Sequence, residues 1–235
     1  MKSTKRSYLS ICMSVPSCRE SLITTKSIFS LSAMVSKYNI QIRTDILTDF
    51  RKAVFQNAKR LLFEAEALFN NGSFPTSAFL SITSIEEMGK FYLSRVFAIK
   101  NDQNTLTQKD LDTLTHHPPK QLNSFLPPFP LEKERKISPN IARFWGLVAD
   151  KKLMPVRNNC LYVGFDRSIS SIFIPPDNIS RDDAFYFLMT AFEVILLQIT
   201  SLLKSLDCSH EFLFLREEVK ILNEKLQELS DKEIT

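Results

Sequence analysis

Three long apolar stretches limit the fold of this chain more than any other feature. Residues 44–70, 75–100 and 181–206 each repeat apolar side chains at helical spacing, and each is too long for a β-strand. The chain has only 4 glycines, whereas 19 phenylalanines supply bulk for a core. Long periodic segments with few glycines favour helices over sheets. We therefore expect an all-helical protein whose long helices pack in one bundle.

The residues that flank these stretches are typical of helix ends. Residues 70–72 read Asn-Asn-Gly, which predicts a C-terminal stop, and Pro75 suits the first turn of the next helix. Two helices with so short a connection should be antiparallel neighbours. Ahead of the third stretch, Ser180 and Asp183 have the spacing of a capping box.

The third stretch is apolar enough between Ala184 and Leu203 to suggest a membrane span. Glu193 and Gln198 lie in its central part, and a charged residue at that depth is expensive in lipid. We therefore expect a buried bundle helix and no membrane partner.

Basic charge is concentrated at the N-terminus. Residues 1–33 hold five basic side chains against Glu20, whereas the remaining residues hold 25 basic and 25 acidic side chains. The first segment resembles a transit peptide in composition. The alternative, which we prefer, is that Met34 is the start and the residues before it are a poorly ordered extension. We therefore set residues 1–36 apart from the folded domain as an N-terminal extension. The remaining residues have no net charge, so they lack the overall positive charge that is typical of nucleic-acid-binding proteins. A local basic patch is still compatible with this balance.

The cysteines form no CxxC pair and have no zinc-site spacing. We expect free thiols in a reducing cytoplasm, and hence a cytoplasmic protein. The sequence also lacks a glycine-rich phosphate loop, GxSxG and HExxH. We therefore expect neither a metal nor a cofactor. The four cysteines are Cys12, Cys18, Cys160 and Cys208.

The C-terminal residues predict a last helix that begins near Ser209. Its apolar residues are spaced alternately three and four apart, as in the seam of a coiled coil. Two interpretations remain open, a helix that docks on its own domain and one that pairs with a second copy. We thus divide the chain after the extension into a helical domain, 37–207, and a C-terminal helix, 208–235. The seam residues are Phe212, Leu215, Val219, Leu222, Leu226 and Leu229.

The centre of the second stretch breaks the apolar pattern with Ser-Ile-Glu-Glu-Met-Gly-Lys, residues 84–90. Buried carboxylates are costly unless they are paired. Glu86 and Lys90 have the spacing of a helical ion pair, and Glu87 is turned from Glu86 by about 100°. Gly89 would let another helix approach closely. The motif is either an exposed ion pair beside a tight crossing or part of a functional cluster.

Two further segments carry residues suited to chemistry. Arg157 could bind phosphate with its planar fork, and Tyr162 would lie on a neighbouring face of the same helix. The alternative is an arginine cap and a buried tyrosine. His117, in the run His-His-Pro-Pro-Lys that ends at Lys120, could serve acid–base work or bind an anion, unless it is only a loop feature.

Residues 57–98 resemble the signature region of the AbiV family of abortive-infection proteins, through an Ala- and Leu-rich helix, a short glycine turn and Glu-Glu-x-Gly-Lys. His117 with Lys120 resembles the His-x-x-Lys element of that family. Residues 157–166, RNNCLYVGFD, resemble its Arg-to-Leu-Tyr-Val-Asp element, and IPPDNIS before a long helix resembles its C-terminal part. The resemblance covers residues 40–205 and leaves the N-terminal extension and the last helix uncovered.

This resemblance implies an HEPN-like antiparallel helical bundle, to which the last helix is an addition. HEPN proteins are often dimeric, and many are metal-independent ribonucleases of toxin and phage-defence systems. Their usual active element places an arginine, a polar residue and a later histidine on one helix, and two copies meet across the dimer. Arg157 and Asn158 match its start, but Tyr162 occupies the histidine position. A phenol with a pKa near 10 is a poor general base at neutral pH. His117 could supply the imidazole instead.

The resemblance therefore implies a phage-defence protein that arrests the infected cell, with RNA cleavage as the candidate reaction and a homodimer as the expected assembly. The alternative is a non-catalytic helical protein that binds a phage or host component. In either case a buried carboxylate needs a charged partner. We expect Glu86 or Glu87 to meet Lys90, His117 and Arg157 in space, and Lys120 is a second cation that these carboxylates could orient.

Overall fold

The computed structural model confirms the all-helical class. The regular secondary structure in the described part of the chain is helical except for one short antiparallel pair of strands, in which Phe165 pairs with Ile172. The described residues are 44–100, 106–116, 120–121, 138–162, 164–166, 171–204 and 214–233. The elements are α1 (Thr44–Asn70), α2 (Phe74–Lys100), α3 (Gln108–Thr115), α4 (Pro139–Ala149), α5 (Leu153–Asn159), β1 (Gly164–Asp166), β2 (Ser171–Phe173), α6 (Pro175–Asn178), α7 (Arg181–Lys204) and α8 (Leu215–Glu233).

The helices α1 and α2 form an antiparallel pair with a close crossing. The hydroxyl of Ser77 donates to the carbonyl of Ala65 at 2.8 Å, and that of Ser84 donates to the carbonyl of Ala58 at 2.7 Å. Both pairs of small residues are seven positions apart, so they face each other along one stripe. These hydroxyls are buried, and the hydrogen bonds satisfy them while the backbones approach.

The connection between α1 and α2 ends the first helix as the sequence predicts. Gly72 has φ +77°, a left-handed conformation that glycine adopts without steric cost. The N–H of Ser73 donates to the carbonyl of Leu68 at 2.9 Å, and the N–H of Gly72 donates to that of Phe69 at 3.0 Å. This is the hydrogen-bond pattern of a Schellman motif.

The helix α7 lies at the centre of the bundle and packs on α2, α8, α1 and α4. Its predicted capping box is confirmed, because the hydroxyl of Ser180 donates to Asp183 Oδ2 at 2.7 Å and accepts from the Asp183 N–H at 3.1 Å. Among the described helices, it is the one that is long and apolar enough to cross a membrane, but 78% of that window is buried inside the protein.

The helix α8 packs its apolar seam into the core of its own chain. Its seam residues belong to the cluster that α1, α2 and α7 build. Lys59 on α1 pairs with Glu218 at 2.8 Å, and Glu66 on α1 lies 3.6 Å from Lys225. The interpretation of a helix that docks on its own domain is therefore the one observed. The described seam residues are Leu215, Val219, Leu222, Leu226 and Leu229.

The described residues all fall within one compact unit, Ile42–Thr235. The predicted extension 1–36, the predicted helix start at Ser209 and the seam residue Phe212 lie outside the described residues.

Candidate functional site

The centre of α2, the helical turn at 120–121 and the helix α5 meet in a group of charged and polar side chains, which we call the polar cluster. It brings together residues that are far apart in sequence and that the close packing around α2 largely removes from water. Its members are Glu86, Glu87, Lys90, Lys120, Gln121 and Arg157.

Glu86 is the most deeply buried charged residue of the polar cluster, at 1% exposure. Its Oε1 lies 3.5 Å from Nε of Arg157 and accepts a hydrogen bond from Nε2 of Gln121 at 2.7 Å. The guanidinium of Arg157 also lies over the ring of Phe79, 4.6 Å from its centroid. Arg157 is thus held between a carboxylate and an aromatic face, a geometry that suits its planar charge.

The ion pair within α2 differs from the predicted one. Lys90 pairs with Glu87, three residues before it, and not with Glu86. The cause is the direction of the two carboxylates, which are turned by about 100° from each other on the helix. Glu86 points toward Arg157, so Glu87 is left as the partner for Lys90.

Gly89 lies inside α2, where a glycine is needed because another part of the backbone packs against it. A Cβ at this position would overlap the backbone carbonyl of Lys120, lying 2.7 Å from its carbonyl carbon. Such a separation is far below van der Waals contact, and the obstructing atoms are backbone that cannot rotate away. Gly89 therefore permits the turn at 120–121 to seat against α2, which also brings Gln121 to Glu86.

Lys120 is buried in the polar cluster at 4% exposure. Burial lowers the pKa of its ammonium group, and the nearby charge of Lys90 lowers it further, while Glu86 and Glu87 act in the opposite direction. A lysine with a lowered pKa gives up its proton more readily than an exposed one.

The other candidate residues are placed differently. Tyr162 is 63% exposed and lies beyond the end of α5 at Asn159, so the expectation that it shares a helix with Arg157 is wrong. The alternative of a buried tyrosine is also wrong. Asn158 is exposed, and its carbonyl accepts from the N–H of Tyr162 at 3.0 Å. His117 lies outside the described residues.

A comparison with protein families bears directly on this arrangement. The sequence matches the AbiV family of HEPN domains over residues 46–196, which is more than half of the chain and includes every member of the polar cluster. The chain belongs to the AbiV family. Membership supports an abortive-infection role of the HEPN type for this AbiV protein. No curated protein and no solved structure matches the chain.

The thiol of Cys160 stands beside Arg157 in the AbiV fold but is not suited to nucleophilic chemistry. Burial raises its pKa to about 12, although the charge of Arg157 acts in the opposite direction. The thiolate is the nucleophilic form, so this cysteine is inert in the folded state. Among the residues that the structure describes, no group of histidine, cysteine or carboxylate side chains could hold a metal ion.

Two residues of this site were missed in the sequence. Phe79 lies seven positions before Glu86 and so shares its helical face, a signal that could have marked it as a contact of the arginine. Gln121 gave no signal beyond its position next to Lys120. Its contact with Glu86 depends on the close seat of the turn against Gly89.

Proposed function

We propose that this AbiV protein acts in phage defence in the cytoplasm by arresting the infected cell, and that it does so through metal-independent cleavage of RNA. The observation that supports this most is the position of Arg157, whose guanidinium is held by Glu86 and Phe79 and whose side chain remains 14% exposed. An arginine oriented in this way can bind a phosphate with its planar fork.

The charge balance of the polar cluster supports an anionic ligand. With its members ionised, three cations, Lys90, Lys120 and Arg157, stand against the two carboxylates Glu86 and Glu87, which leaves one positive charge. Nε of Arg157 is buried without a hydrogen bond to the described residues. A buried donor in this state favours a ligand or a movement that would satisfy it.

The reaction needs two proton transfers and no metal. A 2′-hydroxyl of RNA attacks the adjacent phosphorus as a base takes its proton, and the 5′-oxygen leaves as an acid returns one. Arg157 holds the charged phosphate during the attack. His117 supplies the imidazole that acts as the base, and Tyr162 suits only the acid role, because phenols in general are poor bases at neutral pH.

Two copies would act together in this proposal. Leu161 and Tyr162 lie two and three residues beyond the end of α5 and are 38% and 63% exposed, so apolar surface lies close to the helix that carries Arg157. A second copy that covered this surface would place its own arginine nearby. Light scattering should then detect a dimer that Tyr162→Asp dissociates. A wild-type protein that is monomeric at all accessible concentrations would contradict the dimer.

The cleavage proposal is tested with purified protein and total cellular RNA. Arg157→Ala should abolish cleavage, and Arg157→Lys should reduce it, since lysine keeps the charge but loses the fork. Arg60→Ala is the matched control, because Arg60 is an exposed arginine that contacts Glu64 on its own helix. Cleavage that persists in Arg157→Ala, with a fold intact by circular dichroism, would exclude Arg157 from the reaction.

A second candidate is a non-catalytic protein that binds a phage or host component. The specific observation in its favour is Tyr162, which replaces the expected histidine and is exposed as a binding residue would be. The two functions differ in a plaque assay. A binding protein should protect cells as fully with Arg157→Lys as with the wild-type sequence, whereas a ribonuclease should protect them less, because lysine lacks the planar fork.

A further inference from the structure

A cleft of about 500 Å³ lies where the C-terminal end of α1, the helix α4 and the first turns of α7 meet. Its volume is within the range of small-molecule sites, about 300–1,000 Å³. We call it the arginine cleft, because two arginines line it beside aromatic rings and an amide. The residues that carry the argument are Arg143, Arg181, Phe69, Phe185, Tyr186 and Asn140.

The two guanidinium groups of the arginine cleft lie on aromatic rings. That of Arg143 is 4.1 Å from the ring centroid of Tyr186, and that of Arg181 is 5.6 Å from the ring centroid of Phe69. The rings themselves are fixed, because Phe69 and Tyr186 are buried and Phe69 packs 5.5 Å from Phe185. Rigid rings below the arginines restrict their motion, so the cleft presents two oriented planar cations.

The charge of the lining favours an anion. Arg143 and Arg181 stand against Asp182 alone, which leaves a formal charge of +1 on the lining. The adjacent Asp183 is 3.9 Å from Arg143, near the outer limit for an ion pair, and is also bound by Ser180. One long contact uses a small part of the five N–H donors of an arginine.

Guanidinium planes and aromatic rings are the surfaces on which unpaired RNA bases stack, and arginine forks bind phosphates. Asn140 donates from Nδ2 to Glu193 Oε1 at 3.1 Å, so the oxygen of its amide is the atom that could accept a hydrogen bond from a base edge. We propose that the arginine cleft binds one unstacked nucleotide of single-stranded RNA. This proposal rests on RNA as the substrate in the proposed function, and it adds a binding site that is distinct from Arg157.

The arginine cleft and the polar cluster are neighbours in the fold. Cys160, at the end of α5, interacts electrostatically with Arg157 and with Asp183, and Asp183 lies 3.9 Å from Arg143 of the cleft, so both regions are close to this one residue. A single strand could therefore contact both regions. The cleft would then determine which nucleotide is anchored while Arg157 acts on a phosphate elsewhere in the strand.

The test measures binding of a fluorescein-labelled oligouridylate of eight nucleotides by anisotropy. Arg143→Ala and Arg181→Ala should each weaken binding about tenfold, equivalent to about 1.4 kcal/mol. Removing one arginine–phosphate interaction should also reduce the slope of log K against log salt by about 0.7. Arg216→Ala is the matched control, because this exposed arginine lies on α8 about 20 Å along the helix from the cleft residue Leu229. Circular dichroism and a melting curve check the fold of each variant.

Binding of the oligonucleotide that is unchanged in both arginine variants would overturn the inference, whatever the cleavage assay gives. Binding that depends on Arg143, with no RNA cleaved by the wild-type protein, would support the cleft and reject only the proposed reaction. Uridine monophosphate is the second probe. If it bound with the same dependence on Arg143 while the oligonucleotide did not bind, the RNA assignment would be overturned in favour of a free nucleotide.

Discussion

Removal of Arg157 should destabilise the protein as well as inactivate it, because the guanidinium lies 3.5 Å from a carboxylate that is almost fully buried. Two unit charges at that distance attract by about 5 kcal/mol at an effective dielectric constant of 20. Breaking one partner of a buried pair typically costs about 3–5 kcal/mol. The hydrogen bond from Gln121 to Glu86 and the charge of Lys120 remain in Arg157→Ala. We therefore expect a loss of about 3 kcal/mol, at the lower end of that range.

Urea unfolding, followed by circular dichroism, measures this loss as a shift of the midpoint at constant slope. The double variant Glu86→Gln with Arg157→Met removes both charges, so it should recover most of the stability without recovering activity. Arg60→Ala should change the free energy of unfolding by less than about 0.5 kcal/mol, because its ion pair is exposed. A loss below about 1 kcal/mol in Arg157→Ala would refute the argument that this pair holds the site together.

Three further predictions concern positions outside the ion pair. Gly89→Ala should destabilise the protein by about 2–3 kcal/mol and displace the turn at Lys120. Gly146→Ala, which has open space around its Cβ, should stabilise α4 by up to about 1 kcal/mol. Equal effects of the two substitutions in thermal melts would contradict the close packing of the turn against Gly89. In a variant that lacks the other three cysteines, Cys160 should react with iodoacetamide at pH 8 about 1,000-fold more slowly when folded than in urea, because its pKa of about 12 is about three units above the ordinary thiol value of 9.0. The free energy of unfolding should also fall as the pH rises from 9 toward 12, because the thiol then ionises in the unfolded chain only. Rapid labelling of the folded protein would refute this prediction. Lys151 has φ 59°, a left-handed conformation, so Lys151→Gly should raise the free energy of unfolding, measured by urea denaturation, by about 0.5 kcal/mol. A lower free energy of unfolding in this variant would show that the backbone at Lys151 is not strained.

The long helices could be predicted because their pattern is local. The periods of 44–70 and 181–206 predict helices that end within two residues of the observed ones, and the capping box of Ser180 and the stop at Gly72 both follow from residues adjacent in sequence. The pairing of β1 with β2 was not predicted, because three-residue strands carry too few positions to establish a period of two.

The candidate site could be predicted only in part. A buried carboxylate in an apolar helix requires a cation, and this reasoning predicts Arg157 as a partner of either Glu86 or Glu87. It does not decide which carboxylate meets which cation, because Glu86 and Glu87 are adjacent and only the packed position of α5 separates them. The exposure of Tyr162 depends on the end of α5 at Asn159, and tertiary packing rather than the local sequence determines where this helix ends.

The last helix shows that the residues matched by the family are fewer than the residues that build the core. The family match ends at residue 196, inside α7, yet α8 covers the same core with Leu222 and Leu229, which are almost completely buried. A chain cut at residue 196 would lack eight residues of α7 and all of α8, and it would expose the apolar surface that these residues cover. A protein that ended at residue 196 would therefore need another segment or a partner molecule to cover that face of the core.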